Sequence, residues 1–331
     1  MKTNVDENVV VDVNIERDVV KEVFHTPTCI ELLNKFEEKE KLPMGKLLNF
    51  TGVKGKDVYN ITAPFIVDDK LIIAGRVEGR KIIADSRIVF FEEQDGLWVP
   101  VTYTPVFKLE DGFLVRINGE IIFGGVDVYP KPSENNKDEV GYRTVFFRGK
   151  NLQTLTQFAI GPDMMKDIRL VALADGRIGV FTRPQGVIGG RGKIGYIEID
   201  YIEDLNNSEL ILGAKIIENQ FAEGEWGGAN DPHLLDDGRI GVIGHIAYQD
   251  DLGGKHYYAM SFIYNPKTHF ATPIEIIATI KNFPDDDAKF DILKDIVYPS
   301  NLVRKHDGTA VLYVGLRDAK AGYLDVPDCF V

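Results

Sequence analysis

The chain has 331 residues, of which 44% are hydrophobic and 27% are charged, a composition typical of a folded globular protein. The formal net charge of −13 argues against nucleic acid and anionic membrane surfaces as partners. The only two cysteines, Cys29 and Cys329, exclude a disulfide framework and a multi-cysteine metal site.

The first 45 residues differ from the rest and predict an N-terminal extension. The chain starts with acids where a signal peptide needs a basic and then an apolar stretch, so we expect a cytoplasmic protein. No apolar run approaches the ~20 residues needed to span a membrane. Residues 9–13 are predicted to form a strand. Residues 29–38 predict a short helix with Ile30, Leu33 and Phe36 on one face.

Five similar runs of β-prone residues follow, each with polar residues at its end, and they begin 49, 57, 62 and 70 residues apart. Such a period, with strand signals in every unit, is typical of a β-propeller. We predict an all-β fold in which residues 46–331 form one five-bladed β-propeller, preceded by a strand and helix extension over residues 1–45. The runs are 70–78, 119–127, 176–183, 238–245 and 308–315.

Asp-Gly pairs precede several of these runs and predict hairpin turns, because Asp and Gly both tolerate positive φ. Asp175, Asp237 and Asp307 are interpreted as turn residues on this ground. Asp111 precedes Gly112 and receives the same interpretation.

Polar side chains recur next to the predicted inner strands of all five units. Polar groups near a central axis are costly unless they are paired or meet a ligand, so these residues predict one shared pocket. Tyr129 and Tyr298 are further candidates for stacking on a sugar ring. The candidate site residues are Arg76, Glu78, Asp127, Asp167, Arg169, Arg183, Trp226, Asn230, Asp231, His233, His245, Asn301 and Arg304.

Two histidines bracket one predicted hairpin, and we expect His233 and His245 to face each other near its pocket end. Together with Asp231 they offer zinc or iron ligands, but no short metal-binding motif is present, and we predict neither a metal nor a cofactor. The glycine-rich run 189–192 joins two strands and opens no helix, unlike a phosphate-binding loop.

The chain resembles the five-bladed β-propeller superfamily of glycoside-active enzymes, which includes furanosidases and inverting β-mannoside phosphorylases and hydrolases. More closely, it resembles a domain-of-unknown-function family of that superfamily over residues 45–331. The resemblance implies a propeller fold and a carbohydrate as the small-molecule partner. The motifs that carry it are Gly-Arg-Val-Glu78, Gly-Gly-Val-Asp127-Val-Tyr-Pro, Lys-Asp167-Ile-Arg169, Trp-Gly-Gly-Ala-Asn-Asp231-Pro-His233 and Tyr-Pro-Ser-Asn301-Leu.

Mannoside phosphorylases of the superfamily have an acid followed by Asp-Pro-Arg, in which the Asp is the general acid and the Arg lies near phosphate. By this resemblance Asp167 is the general acid and Arg169 an anion ligand. This chain departs from the motif, since Lys166 replaces the first acid and Ile168 replaces the proline. The resemblance also places His245 at the anion pocket.

Inverting attack on a sugar needs one carboxylic acid for the leaving oxygen and a nucleophile on the opposite face. Asp167, Asp231 and Glu78 are the predicted catalytic carboxylates. The arginines and histidines predict an anion pocket, since guanidinium groups bind phosphate in two-point contacts. We therefore expect an inverting glycoside phosphorylase, with inorganic phosphate as co-substrate, or an inverting glycoside hydrolase, with β-mannosides as one substrate class. The alternative is a propeller that binds a sugar or sugar phosphate without turnover.

Overall fold

A computed structural model describes residues 25–39, 43–80, 85–133 and 136–331. The strand predicted at residues 9–13 lies outside the described residues. Within them, strands dominate and the helices are short, which confirms the prediction of an all-β fold. In the same ranges, no helix is long and apolar enough to cross a membrane.

Helix α1 (Cys29–Glu37) begins with a capping box formed by Thr28 and Glu31, as a helix start of this composition favours. It packs on the core through the buried side chain of Leu32. Ile30, which was predicted to share the apolar face, is 52% exposed. The predicted helix is therefore confirmed, but its buried face is turned away from Ile30.

The first complete sheet follows the short strand β1 (Lys46–Leu47), which pairs elsewhere. Its strands pair antiparallel throughout, with β4 at the centre. They are β2 (Lys56–Tyr59), β3 (Phe65–Val67), β4 (Lys70–Gly79), β5 (Arg87–Gln94) and β6 (Leu97–Pro100).

Two four-stranded antiparallel sheets come next in the chain. The first contains β7 (Glu110–Ile117), β8 (Glu120–Pro130), β9 (Val140–Gly149) and β10 (Thr156–Ile160), with a 3-10 helix at Leu152–Thr154. The second contains β11 (Arg169–Ala172), β12 (Ile178–Thr182), β13 (Gly195–Ile199) and β14 (Lys215–Ile216). Its connections carry α2 (Gly186–Gly189), a 3-10 helix at Ile202–Asn206 and α3 (Ser208–Leu212).

The remaining eight strands form two antiparallel groups, which together with β1 make up a nine-stranded sheet. The first group is β15 (Trp226–Leu234), β16 (Ile240–Gln249), β17 (Lys255–Asn265), β18 (Phe270–Ala271) and β19 (Glu275–Ala278). After 3-10 helices at Ile280–Asn282 and Asp291–Leu293, the second group is β20 (Asp295–Arg304), β21 (Thr309–Leu316) and β22 (Lys320–Pro327). A parallel pairing of only two residue pairs joins β17 to β20.

Strand β1 pairs with β22, so the start of the described β-structure is fastened to the end of the chain. The buried core falls into clusters that join each group of strands to the next one in the chain. A further cluster packs Val58 and Ile73 of the first sheet against Ala321 of β22. Burial of these apolar surfaces is the main stabilising term for such sheets.

The Asp-Gly turns predicted at Asp175, Asp237 and Asp307 are confirmed. The glycines that follow have φ values between 80° and 88°, which only glycine adopts without strain. Each aspartate accepts a hydrogen bond from the backbone N–H two residues later.

Candidate active site

Five polar residues interrupt the inner strands of the five groups at corresponding places. Asn60, Asp111 and Asp167 adopt left-handed backbone conformations, with φ of 44°, 48° and 61°. Asn230 and Ser300 occupy bulges in β15 and β20. Left-handed φ is uncommon for residues other than glycine, and where it persists it often marks a functional site.

Four of these five residues, all except Asp167, line a small central cavity. The enclosed space measures about 10 Å³, which is room for one water-sized group. Its wall brings together side chains from four of the five groups of strands through Asn60, Asp111, Asn230 and Ser300, and the third sheet adds Arg169. The lining residues are Asn60, Asp111, Gly112, Phe113, Arg169, Asn230, Tyr298, Ser300 and Asn301.

Asp111 lies in strand β7 and not in a turn, so the interpretation from its Asp-Gly context is wrong. It is buried, accepts a hydrogen bond of 2.7 Å from Asn60 Nδ2, and lies 3.1 Å from Arg76 Nη1. The turn of this hairpin is Asn118-Gly119, with φ of 52° and 81°. An Asn-Gly pair is the stronger hairpin signal, and it could have revealed the error from the sequence.

Asp167 lies between two guanidinium groups in what we call the Asp167 cluster, which consists of Asp167, Arg169, Arg183 and His245. Arg183 Nη1 is 3.2 Å from Asp167 Oδ2, and Arg169 Nη2 is 3.6 Å from Asp167 Oδ1. The Tyr298 hydroxyl donates to Asp167 Oδ1 at 3.2 Å. All four cluster members are buried.

Backbone carbonyls fix the direction of both guanidinium groups. Arg183 Nε donates to Gly227 O at 2.7 Å, and Arg169 Nε donates to Asn230 O at 3.1 Å. A Cβ on Gly228 would lie 2.9 Å from both Arg183 Cδ and His245 Cε1. The Gly-Gly pair that the sequence shows after Trp226 therefore leaves the space that these two side chains occupy.

His245 is held as a neutral ring. Burial, reinforced by the charge of Arg183, lowers the pKa of His245 to about 3. Its Nδ1 lies 2.8 Å from Asn230 Oδ1, so Nδ1 carries the proton and donates it to this oxygen. The ring lies between Tyr257 and Tyr298, with centroid separations of 5.6 and 5.2 Å.

The Asp167 cluster carries an excess of positive charge. Burial opposes ionisation of Asp167, but Arg183, Arg169 and the nearby Lys166 outweigh it and hold the pKa of Asp167 well below its usual range. Two guanidinium groups thus face one carboxylate and a neutral imidazole. Such a group of charges is suited to bind an additional anion.

A second cluster, in which carboxylates outnumber cations, lies beside the Asp167 cluster. We call it the Arg76 cluster and define it as Arg76, Glu78, Glu110, Asp111 and Lys289. The Arg76 guanidinium lies 3.1 Å from Asp111, 3.0 Å from Glu110 and 3.4 Å from Glu78. Two cations therefore meet three carboxylates.

Glu78 is enclosed within this cluster. Lys289 and Tyr59 both donate to its Oε2, Ser86 donates to its Oε1 at 3.0 Å, and the residue is 1% exposed. Its two oxygens are fully engaged in holding the cluster together. The geometry thus shows Glu78 with both oxygens paired, and the catalytic role expected from the sequence stays a prediction.

Arg76 is likewise engaged with carboxylates, and its predicted part in an anion pocket stays a prediction. The pKa values of the other two acids of the cluster are shifted in opposite directions. Burial, with the added charge of Asp111, raises the pKa of Glu110, whereas Arg76 overcomes burial and lowers the pKa of Asp111. The adjacent pair Glu110–Asp111 therefore holds a proton more readily on Glu110.

His233 and His245 do not face each other, so this expectation is wrong. In the β15–β16 pairing His245 is opposite Gly228, whereas His233 is opposite Gly241, close to the hairpin turn. Five residues along a strand separate Gly228 from His233, or roughly 16 Å.

His233 forms a separate group with its neighbours near that turn. His233 Nε2 lies 2.6 Å from Asp231 Oδ2, an oxygen that also accepts from the backbone N–H of Leu302. Arg304 lies at the corresponding end of β20 and pairs with Asp328 at 2.7 Å. The structure thus places His233 and Arg304 near the turn ends of their strands, and it engages the Asp231 carboxylate with His233 and the Leu302 backbone.

Three further predicted residues have partners that define their positions. Asp127 pairs with Arg143 across β8 and β9 at 3.1 Å, with both side chains partly exposed. Trp226 is buried and donates its indole N–H to Tyr257, so it supports the ring beside His245 and offers no free stacking face. Asn301 accepts a hydrogen bond from the Ala63 backbone N–H and lines the central cavity.

No group of three or more His, Cys, Asp or Glu side chains within residues 25–39, 43–80, 85–133 and 136–331 is arranged to hold a metal ion. The Asp167 and Arg76 clusters are described as groups of charged side chains.

The candidate residues chosen from the sequence do not include Glu110, Asp111, Lys289 and Ser300, which belong to the Arg76 cluster or line the central cavity.

Comparison with known proteins gives a family and several similar structures. The family model described as "Protein of unknown function (DUF1861)" matches residues 34–331. Comparison with functionally curated proteins gave no match.

Two solved structures from Leishmania mexicana are each 36% identical to the chain. One is MPT-4, a mannose phosphorylase in complex with phosphate ion, with a TM-score of 0.82 and coverage of 90% of this chain and 92% of that chain. The other is MPT-1, a GDP-Man-dependent mannosyltransferase, with a TM-score of 0.81 and coverage of 91% and 95%. A β-1,2-mannobiose phosphorylase from Listeria innocua, 12% identical with a TM-score of 0.59 and coverage of 88% and 93%, shares the fold.

Proposed function

Because the chain belongs to the DUF1861 family, and because it is 36% identical to a mannose phosphorylase solved with phosphate ion, we propose that it is a carbohydrate-active enzyme. In this proposal it transfers a mannosyl group between a sugar hydroxyl and inorganic phosphate with inversion at the anomeric carbon. The Asp167 cluster is the observation that carries the proposal, since two buried guanidinium groups face only one carboxylate.

We propose that the scaffold is a five-bladed β-propeller. Its support is the division of the strands into five antiparallel groups, with core clusters between successive groups and between the last and the first. The pairing of β1 with β22 would close the ring. A propeller explains why residues as distant in sequence as Asn60 and Ser300 line one cavity.

Phosphate would bind at Arg169 and Arg183, whose guanidinium groups share the single carboxylate of Asp167. In the direction of phosphorolysis, a phosphate oxygen forms a bond to the anomeric carbon while the bond to the leaving oxygen breaks. Because phosphate is itself the nucleophile, no second carboxylate is needed to activate water. This is the physical reason for favouring phosphorolysis over hydrolysis at a site where cations exceed anions.

The leaving oxygen must receive a proton, and we assign that proton to the pair Glu110–Asp111. Asp111 lines the cavity, and burial raises the pKa of the neighbouring Glu110 carboxyl group, which favours its protonated form. Asp167 is paired with two arginines and is not among the residues that line the cavity, so we propose a different role for it. It would instead keep Arg169 and Arg183 in place until phosphate arrives.

A product assay tests the proposal. The protein is incubated with mannose 1-phosphate and mannose, and separately with β-mannosides and inorganic phosphate. Release of phosphate in the first mixture, and of mannose 1-phosphate in the second, is the expected result. Transfer from GDP-mannose alone would assign a mannosyltransferase, free mannose without phosphate would assign a hydrolase, and no product with measurable sugar binding would leave a sugar-binding protein. The cytoplasmic location stays a prediction.

A further inference from the structure

Three residues that line the small central cavity carry a buried polar atom with no partner within the described residues. They are Asn60 Oδ1, Asn230 Nδ2, on a side chain that is 3% exposed, and Ser300 Oγ. Asn60 Oδ1 can only accept, whereas the groups on Asn230 and Ser300 can donate. An unpartnered buried donor or acceptor costs about 1–3 kcal/mol, so each of these groups needs a ligand or a water molecule.

The chemistry of the groups on Asn230 and Ser300 defines the ligand that would satisfy them. Asn230 Oδ1 lies next to His245 Nδ1, which leaves Nδ2 as the free donor of the amide. Ser300 Oγ is able both to donate and to accept. A sugar hydroxyl can accept from Asn230 and donate to Ser300 at the same time, and it fits a space of about 10 Å³.

The neighbours of this cavity place such a hydroxyl between the two charged clusters. Asp111 forms one side of the wall and Arg169 another. The first belongs to the Arg76 cluster, which we propose supplies the proton, and the second to the Asp167 cluster, which we propose binds phosphate. A sugar whose hydroxyl enters the cavity would therefore have its ring held near both groups.

We propose that Asn230 and Ser300 form a hydroxyl-recognition site, which selects sugars that carry a hydroxyl group at one ring position. The inference rests on the proposed function. A site that hydrogen-bonds a substrate hydroxyl strongly rejects an analogue that lacks this hydroxyl, because the buried polar groups of the site are then left unpaired. This discrimination is far larger than that of a hydrophobic pocket against a substrate with one additional group.

The test compares mannose 1-phosphate with its monodeoxy analogues as donors, in the wild-type protein and in Ser300→Ala. The wild-type protein is expected to discriminate against one deoxy analogue by at least ~10-fold in kcat/KM, equal to about 1.4 kcal/mol. In Ser300→Ala, kcat/KM for the parent sugar should fall towards the value for that analogue, while discrimination at the other positions and the affinity for inorganic phosphate stay the same.

A matched control and a second variant keep the test decisive. Ser261→Ala removes a buried serine hydroxyl from β17 outside the lining of the cavity, and it should leave discrimination unchanged. Asn230→Asp replaces the free donor with an acceptor. This variant should have a lower kcat/KM for the parent sugar, with no increase in kcat/KM for the deoxy analogue.

Equal discrimination in Ser300→Ala and in the wild-type protein would overturn the inference, since the cavity would then contain only a structural water. That result is distinguishable from failure of the proposed function, in which the wild-type protein would turn over neither mannose 1-phosphate nor any analogue. Binding of each sugar, measured by calorimetry, also detects the recognition site without turnover.

Discussion

The Asp167 cluster and the Arg76 cluster both join arginine to carboxylates, yet they have opposite charge balances. In the first, Arg169 and Arg183 share one carboxylate. In the second, Arg76 alone contacts three carboxylates, and Lys289 adds one further cation. The first can therefore accept an anion, and the second can hold a proton.

This difference shows why a buried arginine does not by itself indicate an anion site. The positive charge of a guanidinium that already contacts several carboxylates is compensated, so this group does not favour the binding of a further anion. Its role is to orient the acids around it. The number of carboxylates around each guanidinium decides its role, and this number depends on the three-dimensional arrangement of the strands. The predictions below test whether the two clusters have separate functions.

The largest effect is expected for Asp111→Asn in the Arg76 cluster. Removing the ionisable group next to Glu110 eliminates proton delivery through the pair, and loss of a general acid costs about 10²–10⁴-fold in rate. Initial rates of phosphate release from mannose 1-phosphate measure this effect. Affinity for inorganic phosphate should change little, because the Asp167 cluster stays intact.

The control for this variant is Asp237→Asn. Asp237 also precedes a glycine in the sequence, but it lies in an exposed turn, and its substitution should leave the rate unchanged. Near-normal turnover in Asp111→Asn, with an unchanged melting temperature, would remove this residue from the proposed mechanism.

The next effect is the loss of phosphate binding in Arg183→Gln. Hydrogen bonds to charged groups contribute about 1.5–3 kcal/mol, so the dissociation constant for phosphate should rise about 10- to 100-fold. Calorimetric titration with inorganic phosphate measures it. Arg177→Gln, which removes an exposed arginine paired with Asp175, is the matched control.

Asp167→Asn separates the two roles suggested for this aspartate. If Asp167 competes with phosphate for Arg169 and Arg183, the amide variant should bind phosphate more tightly than the wild-type protein. If Asp167 is the general acid, phosphate affinity should stay the same and turnover should be lost. The second pattern would mean that the general acid lies in the Asp167 cluster. It would contradict the proposal that the two clusters have separate functions.

A smaller effect is expected in the pH dependence of turnover. Glu110 donates only when it is protonated, and burial raises the pKa of its carboxyl group. Turnover should therefore be retained below this pKa and decline as the pH rises through it. Glu110→Gln should lower turnover, and in its residual turnover this decline should disappear or shift, because the titrating carboxyl is absent. An unchanged alkaline limb in that variant would show that another group controls it.

The fold class and part of the candidate site could be predicted from the sequence, because the sequence patterns that indicate them are local. The repeated β-prone runs predicted the all-β fold, and the Asp-Gly pairs predicted the turns at Asp175, Asp237 and Asp307. The stretch around Asp167 and Arg169, and the glycines near His245, identified residues that the structure brings together in one cluster. These signals all lie within a few residues of one another along the chain.

The errors arose where the outcome depended on distant partners. Asp111 was indistinguishable from a turn residue because its bulge in β7 is not visible in its own Asp-Gly context. Lys289, which lies 211 residues from Glu78, has no sequence feature that connects it to the first sheet. His233 was placed at the wrong end of its hairpin because the register of β15 and β16 was unknown.

The smallest effect is expected for Arg304→Gln, which tests the boundary of the site. Arg304 lies next to the β20–β21 turn, six residues along the strand from Tyr298, or roughly 20 Å. It pairs with Asp328 and is remote from Arg169 and Arg183, so kcat/KM and phosphate affinity should change by about 0.5 kcal/mol or less, equal to about a factor of two. Thermal unfolding should show a modest loss of stability, because Asp328 is buried and loses its cation. A loss of phosphate affinity comparable with that of Arg183→Gln would mean that the anion site extends along the strands to this end of the molecule.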